Sequence, residues 1–307
     1  MAARRETKRK YDPAAAGTAQ LPLASQSPAG EVVLAYVREQ VAAISRYDPL
    51  IRSDAPDAVH QMRVATRRAR SALQAFGTIV EREATRPLGE ELKWLAAALG
   101  QARDTEVLLA RLTDELAAVP SALVVGPVAA HVNDYFTDEL AQAGGTALGA
   151  LDGQRYTRLR ESLNTLLADP PLTPRARHQA GKALAGPVRR AERRLQRALA
   201  AVPGAEDRDA AIHEARKAAK RARYAAEAAE PALGDAARLQ AAQAKELQQL
   251  LGDHHDSVVA RALLLDLTEE ARAGGEDTFT YGLMYQGQAC QAAEIERALP
   301  RFAAPAE

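Results

Sequence analysis

Two short segments of this chain concentrate residues suited to holding anions. His60, Arg63, Arg67 and Arg70 form one set, and His213, Arg216, Lys220 and Arg223 form another. On a helix each residue turns by about 100°, so with His60 at 0° the three arginines fall at about 300°, 340° and 280°. They make a single basic stripe over three turns. The opposite face carries Met62, Ala65, Ala69, Leu73 and Phe76, which suit a core. The second segment repeats the arrangement, with Ala215, Ala218, Ala222 and Ala226 behind the stripe. Arg68 and Arg221 lie further round each helix and rank second.

An ordinary solvated stripe interleaves acids with its bases, each i,i+4 pair being worth ~0.2–0.5 kcal/mol. The first stripe has no acid between Ala58 and Thr78, and Glu214 and Glu227 lie off the second. Uncompensated like charges repel, so their double occurrence points to an anionic ligand. Guanidinium forks match phosphate oxygens in pairs, and a lysine adds a point charge.

The two stripes stand 153 residues apart (213 − 60), and a second pair keeps nearly that register. Leu99-Gly100-Gln101-Ala102-Arg103-Asp104 aligns with Leu251-Gly252-Asp253-His254-His255-Asp256 at an offset of 152, which also places Lys93 on Lys245. Two separated matches imply an internal duplication.

The elements that must carry these residues are all helices. The apolar part of the sequence, 47%, is mostly Ala and Leu, and aromatics make up only 4%, a composition that favours helix over strand. Apolar periodicity and Pro/Gly punctuation place helices near 31–46, 57–76, 87–99, from 104, 122–150 and 154–168. Asp169-Pro170-Pro171 with Pro174 is the clearest break. Helices near 175–201, 207–228, 233–252, 255–273 and 277–298 follow. In this reading Gly100 ends one helix, and Asp104 and Asp256 cap the next. Residues 1–30 read as a disordered basic tail, 31–170 as a first helical bundle and 171–307 as a second. The expected fold is all-α, with the two related bundles packed about a pseudo-twofold axis.

Forty basic and forty acidic residues leave a net charge of zero, so any anion site is a local concentration of charge. Cys290 is the single cysteine, which removes an internal disulfide and a cysteine metal cluster; on a helix among alanines it reads as packed. No stretch approaches the ~18–20 apolar residues of a membrane span, and the chain reads as cytoplasmic.

The segments VHQMRVATRRARSALQAF and IHEARKAAKRARYAAE, with the LGQARD and LGDHHD pair, resemble the two halves of a CHAD domain, the conserved histidine α-helical domain. The resemblance spans about residues 31–300. It implies two packed four-helix bundles, a central basic groove and non-catalytic binding of inorganic polyphosphate; some members associate with polyphosphate granules. Its basic signature falls on His60, Arg63, Arg67, Arg70, His213, Arg216, Lys220 and Arg223. Lys93 with Arg103, and Lys245 with His255, match the family's second basic segments. CHAD domains often follow a CYTH triphosphate-tunnel domain, whose Glu-x-Glu-x-Lys signature is not found, so a stand-alone CHAD protein is expected.

Two other chemistries compete. Asp253-His254-His255-Asp256, with His213, is dense enough in ligand types for a metal-dependent phosphohydrolase. Against it, the matching segment has Gln101, Ala102 and Arg103, and Arg103 ligates no metal. Nucleic acid is the third candidate, since basic stripes attract any phosphate chain. Base-binding sites add aromatic platforms, which are scarce here; Trp94 reads as core, and Tyr224 as a phosphate donor or rim packing. Arg189, Arg190, Arg193, Arg194 and Arg197 form a further basic cluster, equally compatible with a solvated face and a groove wall. No nucleophile–base pair emerges, and His131 and His178 read as surface or capping residues. The expectation is therefore a polyphosphate-binding protein with no cofactor and no catalysis, nucleic acid being an unlikely partner.

Overall fold

The computed structural model describes residues 24–303, and within them every regular element is helical. The α-helices are α1 (Ala29–Arg52), α2 (Ala58–Ala75), α3 (Arg82–Ala118), α4 (Val128–Asp152), α5 (Gln154–Ala168), the single turn α6 (Ala180–Ala183), α7 (Ala185–Ala201), α8 (Arg208–Leu233), α9 (Asp235–Ala273) and α10 (Phe279–Ala298). Packing repeats along the chain: α1 lies on α2, α2 on α3 and α3 on α4, and likewise α7 on α8, α8 on α9 and α9 on α10. Contacts between the halves are reciprocal, α2 meeting α8, α3 meeting α9, and α1 meeting α8 where α7 meets α2. This is the pattern of a duplicated bundle paired about a pseudo-twofold, with α5 as an addition to the first half.

The structure corrects several boundaries. Gly100 ends nothing: α3 runs on through it, and α9 runs through Gly252 in the same way. A glycine inside a helix costs ~1 kcal/mol relative to Ala, and here the missing Cβ gives room to an arginine. A Cβ on Gly100 would lie 3.4 Å from Nε of Arg63, and one on Gly252 would lie 3.8 Å from Nε of Arg216. Asp104 and Asp256 are therefore mid-helix residues, not caps. Pro87 does not open α3 but sits in its second turn. Helix α1 extends through Pro49 to Arg52, and α8 through Pro231 to Leu233. The stretch near 175–201 divides into the 3-10 turn Pro174–Arg177, α6 and α7.

The proposed tail is also shorter where it can be described. Residues 24–30 are tied down: Ala180 and Gly181 donate to the carbonyls of Ser27 and Ser25, at 2.8 and 2.9 Å, and Ala29 donates to His178. Residues 1–23 lie outside the described residues.

The predicted core faces are buried as expected, Met62, Ala65, Ala69, Leu73 and Phe76 on α2 and Ala215, Ala218, Ala222 and Ala226 on α8. One large apolar cluster crosses the midpoint of the chain, joining Val33, Val37, Phe76, Leu95 and Tyr156 to Ala225, Ala228 and Ala229. Alanine is what makes this possible. Its small side chain lets α8 approach α1, α2, α7 and α9 closely, so the second basic stripe is held rigidly against the first.

Candidate functional site

A groove of about 750 Å³ opens where α2, α3, α8 and α9 meet. From α2 it receives His60, Arg63, Arg67 and Arg68; from α3, Arg103 and Asp104; from α8, Arg216, Lys220, Arg223 and Tyr224; from α9, Lys245, His255 and Asp256. Nine of the twelve residues expected at the site therefore line one space. His213 stands just behind, its ring tilted against that of His255 with centroids 4.8 Å apart.

Two expected residues lie elsewhere. Arg70 turns away and donates from Nε to the carbonyl of Gly89 at 3.2 Å. Lys93 is exposed, with Nζ 3.8 Å from Glu90. Arg68, ranked second from its bearing on the helix, does line the groove, because α8 crosses α2 beside it and widens the usable face.

The two halves repeat at the level of atoms. Nδ1 of His60 and Nε of Arg63 are buried without a hydrogen-bond partner, and so are Nδ1 of His213 and Nε of Arg216. Buried polar atoms normally find partners, so four orphans at equivalent places mark a site whose partner is a ligand or solvent. The halves differ in their carboxylates. Arg63 grips Asp104 through both Nη atoms, at 2.9 and 3.2 Å. No hydrogen bond joins Arg216 to Asp256, although Asp256 exerts the strongest negative influence on it.

Burial dominates the electrostatics. It lowers the pKa values of Arg67 and Arg216, and their positive neighbours lower them further. Lys220, 9% exposed, is brought down to about 6 by burial and by Arg67, Arg216 and Arg63. His255 falls to about 4 through burial, Arg216 and His213. Burial also lowers His60 and His213, assisted by Arg103 and Arg63 at the first and by Lys217, Arg216 and Lys220 at the second. The carboxyls of Asp253 and Asp256 are raised by burial. The groove is thus a half-dry pocket of crowded cations, an arrangement that an incoming anion relieves.

Glu227 closes one end. It accepts from Arg223 Nε at 2.7 Å and from Tyr36 Oη at 3.2 Å, and lies 3.1 Å from Arg68 Nε. Tyr224 is buried, with the Arg223 and Arg68 guanidiniums 5.4 and 6.0 Å from its ring centre. It packs in the wall, so the groove offers no exposed aromatic face for a base. Trp94 is half-buried against the core, under Arg155.

The metal reading does not assemble as expected. His254 and His255 leave α9 in different directions, His255 to the groove and His254 to a buried position facing α8 and α10. Among the described residues, the one group of three ligand-type side chains with atoms within 4.8 Å of one another is Asp209, His254 and Glu296. Its carboxylates are already engaged, Asp209 by Arg261 at 3.5 Å and Glu296 by Arg208 at 3.3 Å. His131 bonds Tyr281 through Nδ1 at 2.7 Å, and His178 is exposed at a 3-10 terminus. Cys290 is exposed rather than packed. Among the described residues no helix is long and apolar enough to cross a membrane.

Residues 35–265 match the CHAD domain family. The uncharacterized proteins MT2285 and Rv2226 of Mycobacterium tuberculosis are each 40% identical over 276 residues, which is 88% of this chain and 52% of theirs. The chain thus spans about half the length of these relatives. Among solved structures, PptA from Streptomyces chartreusis superposes with a TM-score of 0.77 at 24% identity, covering 90% of this chain and 99% of that one. The CHAD domain from the plant Ricinus communis gives 0.72 at 26% identity, covering 92% and 94%.

Proposed function

This chain belongs to the CHAD domain family, and on that premise we propose that its central groove binds inorganic polyphosphate without catalysing a reaction. One observation carries the reading. Arg67, Arg216 and Lys220 converge from two different helices, are largely withdrawn from water, and form no salt bridge among the described residues. Such an arrangement is costly when empty and favourable around a chain of phosphates, whose oxygens pair with guanidinium forks at every unit. The orphaned nitrogens of Arg63 and Arg216 supply further donors.

Because both halves face one space, a chain long enough to touch both gains its second contact intramolecularly, which raises avidity by ~10²–10⁴ when geometry permits. Titration with polyphosphates of defined length tests this. Chains of tens of units bind far more tightly than tripolyphosphate or ATP, and log K falls with log salt at about −0.7 per neutralised phosphate, by analogy with single-stranded nucleic acids. Equal affinity for tripolyphosphate and long chains contradicts cooperation between the halves. Steady release of orthophosphate in the presence of Mg²⁺ or Mn²⁺, lost when His60 and His213 are replaced, contradicts the absence of catalysis. A fluorescent fusion that ignores intracellular polyphosphate granules argues against a granule role.

A further inference from the structure

The basic residues that the groove does not take up gather at a second place. A cleft of about 540 Å³ lies between α2, α3, α7 and α8, lined by Arg82, Arg86, Arg190, Arg194 and Arg221. Arg70, absent from the groove, ties Nε to Gly89 in the lining of this cleft, and Lys93 reaches Glu90 at its rim. The run on α7 thereby resolves into two sets. All five are exposed, but Arg190 and Arg194 line the cleft and Arg189, Arg193 and Arg197 do not.

The cleft lies on the same face of the bundle as the groove. Ser71 and Gln74 continue the side of α2 that bears His60 and Arg67. Thr85 and Arg86 precede Arg103 and Asp104 on α3 by eighteen residues, five whole turns. Helix α8 stands between the two spaces, giving Arg216 and Lys220 to the groove and Arg221 to the cleft.

The duplication supplies a built-in control. The equivalents of Arg221 and Gln74 in the other half are Arg68 and Glu227, at the same offset of 153. There the site is closed: Glu227 holds Arg68, Arg223 and Tyr36, and α1 seals the junction with Val33 and Val37 packed into the core. At the open junction a neutral Gln74 replaces the carboxylate. Arg82, Arg190, Arg194 and Arg221 form no salt bridge among the described residues; Arg86 alone pairs, with Glu83 at 3.3 Å. Burial lowers the pKa of Arg221, with Arg194 and Arg70 adding to the shift and Glu214 opposing it.

We propose that this cleft is a second phosphate-chain subsite, which holds a further segment of a polyanion already seated in the groove. The inference rests on the groove reading above and extends it. A short chain occupies the groove alone, and only a chain able to reach past α8 engages both.

The test compares two triple variants of the full chain that remove equal charge, Arg190→Gln/Arg194→Gln/Arg221→Gln in the cleft and Arg189→Gln/Arg193→Gln/Arg197→Gln beside it. Thermal melting checks that each folds, and affinity is measured for tripolyphosphate and for chains of tens of units. The cleft variant loses at least tenfold for long chains and less than twofold for tripolyphosphate, while the control loses less than threefold for either. Equal losses in the two variants, or no loss in the cleft variant, overturn the subsite and leave the groove standing. A wild-type protein that binds no long chain overturns the groove reading, and the subsite falls with it.

Discussion

The two half-sites occupy equivalent positions and have diverged in how they carry charge. In the first half Arg63 is clamped by Asp104, Arg67 provides a guanidinium, and Arg103 pairs with Glu106 at 2.9 Å. In the second half Arg216 has no such clamp, a lysine stands where Arg67 does, and a histidine tilted against His213 stands where Arg103 does. The first half carries arginines at both places, Arg67 and Arg103. The second contains Lys220, brought down to about 6, and His255, brought down to about 4, beside Arg216 and Arg223. The two copies keep their cations in equivalent places but differ in side-chain type, and in the second copy Lys220 and His255 are groups whose protonation can change.

The largest effect tests what the halves share. Arg67→Gln with Arg216→Gln removes one buried guanidinium from each, and charge-assisted hydrogen bonds of ~1.5–3 kcal/mol apiece translate into a loss of roughly 100-fold or more in long-chain affinity. Isothermal titration calorimetry measures it, and a loss below tenfold shows that the buried cations are not the seat of binding.

Next comes the titratable half. Bound phosphate favours the ammonium form of Lys220, so its pKa in the complex lies above the value of about 6 in the empty protein. Affinity therefore rises as pH falls from the bound value towards 6, by at most about tenfold per unit, and levels off below it. Lys220→Arg flattens that profile, and calorimetry in buffers of different ionisation heat registers the missing proton uptake. The same shift destabilises the empty fold. A lysine at about 6 when folded and 10.5 when unfolded makes the ligand-free protein gain stability as pH rises between those values, a slope that Lys220→Met reduces in melting experiments.

A smaller effect separates the clamps. Asp104→Asn frees Arg63 and tightens binding by roughly fivefold, ~1 kcal/mol, whereas Asp256→Asn, with no hydrogen bond to release, changes it by less than about twofold. Equal responses would erase the distinction between the halves. The smallest belongs to His60→Gln with His213→Gln. Burial and neighbouring cations lower both imidazoles in the empty protein, so their contribution grows as pH falls through the higher pKa they have beside bound phosphate, and a change of about twofold at pH 8 is expected.

The fold class, the duplication and most of the groove were legible because they depend on spacing. Stripes at 3.6-residue intervals state which side chains share a face, and the apolar residues behind them stated correctly what is buried. Three things were not legible in that way. Gly100 and Gly252 signal helix ends locally, but tertiary contact with Arg63 and Arg216 overrides the signal. Arg70 and Lys93 were expected with the stripe yet point elsewhere, Arg70 to the carbonyl of Gly89 and Lys93 towards Glu90. The depressed pKa of Lys220 depends on burial among cations from two helices, which no linear pattern records. The one available clue was the alanine richness of α8, which brings neighbouring helices close enough to dry that lysine.

The unbroken run of α3 through Gly100 bears on selectivity for length. At 1.5 Å per residue, Thr85 and Arg103 are held about 27 Å apart on one bearing. An uninterrupted helix keeps that separation whatever is bound, so under the proposed function it would serve as a fixed ruler beside the ligand. Discrimination by chain length then needs no contact that recognises a chain end. It follows from whether a polymer is long enough to reach from one mark to the other.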